Sequence, residues 1–159
     1  MKRVFIVLSF TMLLNGIIYQ SVSSALPKIL AEGAPNLSGG TATGAGVLVS
    51  IVYFCAMMAS LLGGYLSDRV SVKNLYIVTT VLQIPLYTLA ASLMHLPLMF
   101  AITMATVFST IAVPTENVLL TRYTPERWRA TAFGAKFVLA LGLGALGVPL
   151  VAYIRDHTG

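Results

Sequence analysis

Between Lys73 and Glu116 the chain carries no formal charge. That stretch is longer than the ~20 apolar residues that cross a bilayer once. It holds one break point, His95-Leu96-Pro97, because a proline and its predecessor disfavour a continuing helix. Two crossings are therefore predicted, at 75–94 and 98–120, with His95 a water-facing turn residue rather than a ligand. Three further apolar stretches lie at 4–26, 44–66 and 130–154, which makes five predicted spans. The composition agrees. The chain is 57% hydrophobic and 9% charged, where a soluble domain carries roughly 25% charged residues. A soluble fold of 159 residues has no interior large enough for so much apolar surface.

The expected fold class is an all-α membrane protein with five transmembrane helices, 1–159 forming a single transmembrane domain. Membrane β-barrels need short alternating segments with one polar face. The runs here are continuous and rich in Leu, Ala and Met. The N-terminus, Met1-Lys2-Arg3 before an apolar run, resembles a signal peptide, with Ser23 and Ala25 near a cleavage-like position. The uncharged run continues to Pro27, however, long enough to span, and is read as an uncleaved first helix. The lone cysteine, Cys55, lies in an apolar run; it excludes an internal disulfide and is read as a small buried side chain.

Charge placement gives the orientation. The net charge of +5 comes from ten Lys/Arg and five Asp/Glu. Lys2, Arg3, Arg69, Lys73, Arg122, Arg127, Arg129 and Lys136 all fall on one side of the predicted spans, and Lys28 and Arg155 on the other. Bases gathered at span ends are the membrane pattern, not a nucleic-acid patch. The positive-inside rule makes the N-terminus and the loops 67–74 and 121–129 cytoplasmic, with the C-terminus and the flexible loop 28–43 outside. The expected location is the plasma membrane, in a bacterium the inner membrane.

Two rows of small residues mark the second span: Ala56, Ser60, Gly64 and Ala59, Gly63, Ser67. Four-residue spacing puts each row on one face, and small faces let helices approach closely in lipid. Ala140, Gly144, Gly142 and Gly147 do the same in the fifth span. Pro85, Pro114 and Pro149 predict kinks. Polar stripes run along two spans. Thr11, Asn15, Tyr19 and Ser23 recur at steps of four in the first, with Gln20 alongside; Thr103, Thr106, Thr110 and Asn117 line the fourth. Polar groups in lipid need partners or water. Such stripes either bond neighbouring helices or line a cavity that binds a solute. For a cavity, the candidates are Asn15, Tyr19, Gln20, Thr106, Thr110 and Asn117. Glu116, six residues before Arg122, is expected to pair with Arg69, Arg122 or Arg127 at the basic edge.

The sharpest local feature is Gly63-Gly64-Tyr65-Leu66-Ser67-Asp68-Arg69-Val70-Ser71-Val72-Lys73, a tight charged loop between two spans. It resembles the signature loop of the major facilitator superfamily of transporters, Gly-x-Leu-Ala-Asp-Arg-x-Gly-Arg-Lys. Gly64, Leu66, Asp68, Arg69 and Lys73 match; Ser71 and Val72 depart from it. The segment from Tyr123 to Gly134 is similar to the family's connection between its tenth and eleventh helices, and Arg155-Asp156-His157-Thr158-Gly159 to the turn before its last. The fourth span lacks the arginine of the family's first half. The chain therefore resembles the second half, helices seven to eleven: a half bundle lacking its last helix, with the other half a missing partner.

The resemblance implies a secondary active transporter of a small solute working by alternating access, with efflux as one direction and a proton as a candidate coupling ion. It also implies a cytoplasmic latch, built from Gly64, Asp68, Arg69 and Lys73, joined by Glu116 and Arg122 in a charge network. No nucleophile–base pair or metal cluster appears within the spans, so no enzyme activity, catalytic residue, metal or cofactor is expected. The alternative is a small membrane scaffold that binds other helices through its glycine faces.

Overall fold

The computed structural model describes residues 2–138 together with 142, 149 and 153, and side chains from Phe10 onward. Among the described residues the structure is helical throughout: α1 (Lys2–Gly33), α2 (Pro35–Ser38), α3 (Ala42–Arg69), α4 (Val72–Ser92), α5 (His95–Tyr123), a 3-10 turn (Glu126–Trp128) and α6 (Arg129–Phe137). Three of these, α3, α4 and α5, are long and apolar enough to cross a membrane. The predicted first span corresponds to α1, and the predicted fifth lies largely outside the described residues, as do Ala140, Gly144 and Gly147.

Helix α3 shows why these elements suit lipid. Its buried residues, Ala45, Leu48, Val52, Ala56, Ala59, Gly63 and Ser67, recur every three or four positions and form one face. Most are small. The bulky side chains, Phe54, Met57, Leu61 and Tyr65 among them, point outward. A water-soluble helix does the reverse. Here lipid meets the large side chains, and small ones allow close helix packing. Of the two small rows, Ala59-Gly63-Ser67 is the buried one, while Ser60 and Gly64 are half-buried.

Helices α3 and α5 nearly touch at Gly63. A Cβ built there would lie 3.1 Å from Ile111 Cα and 3.2 Å from Ile111 O. One turn on, Ser67 Oγ lies 3.2 Å from Thr115 Oγ1. Both pairs are offset by 48 residues, so the two helices run parallel and in register here. Parallel order is what two crossings separated by one return crossing, α4, require.

The connections are shorter than the apolar windows suggest. The loop expected over 67–74 reduces to Val70 and Ser71, because α3 continues through Asp68 and Arg69. A cation in the last turn suits the helix dipole, and the Val70 N–H donates to Leu66 O to close the end. Similarly, the outer loop expected over 28–43 is mostly helical. α1 runs through Pro27 to Gly33, and α2 starts with proline in its first turn, where no N–H is needed. Gly39 and Gly40 take left-handed backbone, φ +62 and +67, to turn the chain into α3. Thr41 caps that helix: the Gly44 N–H donates to its Oγ1 at 3.0 Å. On the other side, α5 extends to Tyr123 and α6 begins at Arg129, so the loop expected over 121–129 is narrower as well.

The break between α4 and α5 falls at Leu93 and Met94, just before the expected His95-Leu96-Pro97. His95 is exposed, with φ +57, and Pro97 sits in the first turn of α5. Proline is tolerated there, because that N–H has no intrahelical acceptor. Pro85 and Pro114 lie inside unbroken α4 and α5.

The chain forms two compact units: Met1–Ala25 with Leu119–Gly159, and Leu26–Val118.

Candidate functional site

Within the unit Leu26–Val118, the motif residues occupy the end of α3 and the start of α4. Gly64 is half-buried, and a Cβ there would meet nothing within 4 Å. Asp68, Arg69 and Lys73 are exposed. The Arg69 guanidinium lies over the Tyr65 ring, 5.0 Å from its centroid, a cation–π contact that steadies the side chain. Glu116, on α5, is 5% exposed. A buried carboxylate requires compensation, and Glu116 does have a partner within the molecule. Arg122 and Arg127 are exposed. Two ion pairs link near neighbours in sequence: Arg129 with Glu126 at 3.5 Å, and Lys28 with Glu32 at 4.0 Å.

The α5 stripe is carried by hydroxyls turned onto their own helix. Thr103 donates to Met99 O at 2.6 Å, Thr106 to Ile102 O at 2.8 Å and Thr110 to Thr106 O at 2.8 Å. Back-bonding of this kind satisfies a threonine in an apolar setting. It leaves lone pairs on each hydroxyl oxygen that can still accept. Thr106 is buried, and Thr110 and Asn117 are half-buried.

The α1 stripe belongs to the other unit. Asn15 and Gln20 are half-buried, Tyr19 is 41% exposed, and Asn15 and Tyr19 each have a partner. Arg122 lies in that unit too. The structure thus brings Gly64, Asp68, Arg69, Lys73 and Glu116 into one unit with Thr106, Thr110 and Asn117, while Asn15, Tyr19, Gln20 and Arg122 fall in the other.

A third polar stripe escaped the sequence reading. Helix α4 buries Tyr76, Thr79 and Gln83, with Tyr87 half-buried one turn beyond. Steps of three and four were the available signal. A leucine or valine directly precedes each of these residues and masks the stripe. Thr79 donates within α4, its Oγ1 2.9 Å from Leu75 O and 3.1 Å from Tyr76 O, and Tyr76, Gln83 and Tyr87 have partners. The Ser67–Thr115 hydroxyl pair escaped as well, because no pattern within one helix reveals a contact between two.

No curated protein and no solved structure matches the chain. The family model described as Major Facilitator Superfamily matches residues 8–159. That match spans nearly the whole sequence, including the charged turn after α3 and the parallel α3–α5 pair. The chain belongs to the Major Facilitator Superfamily, whose members are membrane-embedded transporters.

Proposed function

We propose that this chain is the solute-translocating half bundle of a secondary active transporter that works by alternating access. The observation that carries the reading is the family match over residues 8–159. In this reading five helices thread the bilayer: α1, α3, α4, α5 and a fifth that begins with α6. The N-terminus and both basic turns face the cytoplasm, and a second half bundle completes the path. Each polar stripe faces the solute path from its own unit: on α1, Asn15, Tyr19 and Gln20 supply donors, acceptors and a ring, and on α5, Thr106 and Thr110 supply acceptors and Asn117 both donors and an acceptor. A solute moves the balance between inward-open and outward-open forms by binding one of them better. Asp68 and Arg69, with Gly64, Lys73 and Glu116 of the same unit, form the latch that stabilises one form.

Single cysteines at positions 15, 19 and 110, in a Cys55→Ser background, test the cavity. A membrane-impermeant maleimide should reach each of them through water although all three lie inside apolar helices. A scaffold, with its stripes sealed between helices, leaves the three unlabelled while an exposed site such as position 39 reacts normally. That result would refute the reading.

A further inference from the structure

The α3–α5 crossing ends in two buried hydroxyls. Ser67 Oγ and Thr115 Oγ1 lie 3.2 Å apart, and the residues are 2% and 0% exposed. Each oxygen is also within reach of a carbonyl one turn back on its own helix: Ser67 Oγ is 2.7 Å from Gly63 O, and Thr115 Oγ1 is 3.0 Å from Ile111 O. Each hydroxyl carries one hydrogen. Three contacts therefore compete for two hydrogens, and only two bonds exist at any moment. When the Ser67 hydrogen lies on Gly63 O, the shortest of the three contacts, Ser67 Oγ is the acceptor across the interface. The Thr115 hydrogen then has two acceptors at nearly equal distance, Ser67 Oγ and Ile111 O.

The consequence is specific to lipid. Breaking an ordinary bond between membrane helices leaves a donor with no water to receive it. Here Thr115 turns back onto Ile111 O, and neither hydrogen is orphaned. The backbones are already close at Gly63, where α3 itself carries no side chain and faces the backbone and Cγ2 of Ile111. The next residue on each helix is charged: Asp68 after Ser67, and Glu116 after Thr115.

We infer that Ser67 and Thr115 form a reversible hydroxyl joint that holds the α3 end bearing Asp68 and Arg69 against the α5 turn bearing Glu116 in one conformation and releases it in another. They are positioning residues, acting through the charged groups beside them. The two conformations rest on the transporter reading; the joint itself rests on the distances.

The test uses the chain in lipid nanodiscs, with Cys55→Ser and spin labels at positions 70 and 113, both exposed and both within Leu26–Val118. Thr115→Val keeps the side-chain shape and removes the hydroxyl. It should shift or broaden the distribution of label distances, and Ser67→Ala should do the same. The double variant should change no more than the larger single effect, because one bond is lost in each case. Thr115→Ser should restore the parental distribution. Unchanged distances in both single variants, additive effects in the double, or a Thr115→Ser variant that behaves like Thr115→Val would each overturn the joint. Gradient-driven uptake of a panel of labelled small solutes is measured in parallel. No uptake by the parental protein, paired with its second half, would defeat the transport reading while the label distances still decide the joint.

Discussion

Two adjacent glycines on α3 have opposite environments. A Cβ on Gly63 meets the Ile111 backbone, which cannot swing aside as a side-chain tip does. Gly63→Ala should therefore destabilise the fold by about 1–3 kcal/mol, the usual result of overpacking. Gly64 has open space, so Gly64→Ala should be neutral or add up to about 1 kcal/mol through helix propensity. Thermal unfolding in one detergent compares them, and equal shifts would deny the close crossing. In the sequence the two rows of small residues are equivalent. Small size makes a face packable, and only the position of Ile111 decides which face is packed. Asp68 belongs to the same scale. It is exposed, so Asp68→Asn should leave membrane insertion intact. If Asp68 latches one form, solute uptake at matched protein level should fall about tenfold, equivalent to ~1.4 kcal/mol in the balance of states. Equal uptake would remove it from the latch.

At the scale of elements, hydropathy marked where the greasy part of each helix lies and missed where the helix ends. The two differ because lipid selects side chains, whereas a helix ends where its backbone bonds are capped. The window 44–66 was legible from composition; the real bounds of α3, Ala42 and Arg69, come from Thr41 at one end and from the turn through Val70 and Ser71 at the other. Likewise the turn over 28–43 looked flexible because it is rich in Gly, Pro and Ser, yet most of it packs as helix. Ser38 is buried, and a Cβ on Gly44 would collide with the Ser38 carbonyl. The cap is testable by itself. Thr41→Ala removes the acceptor for the Gly44 N–H and should cost about 1 kcal/mol. Hydrogen exchange should quicken at the amides of the first turn of α3 and stay unchanged near Ser67. Uniform quickening along the helix would show that Thr41 matters to packing rather than to the cap.

At the scale of the whole molecule, the threading joins sequence to function, and two independent lines lead to it. Counting charges predicts that the basic residues beyond α3 and beyond α5 share one side of the membrane. Packing gives the same order by another route: Gly63 meets Ile111, and Ser67 meets Thr115, at one constant offset. The two helices therefore point the same way, with α4 returning between them. A hydropathy count alone would have allowed α4 and α5 to merge into one long helix or α4 to lie along the surface; a parallel α3–α5 pair joined by short turns allows neither. If the threading holds, cysteines replacing Arg69 and Arg127 should both react with an impermeant maleimide from the cytoplasmic side of sealed vesicles, and one replacing Gly39 only from the opposite side. The Arg69 site tests the turn after α3, the Arg127 site the turn after α5, and the Gly39 site the outer connection. Labelling of positions 69 and 127 from opposite sides would break the parallel order of α3 and α5. The half-bundle architecture and the latch at Asp68 would then lose their common basis.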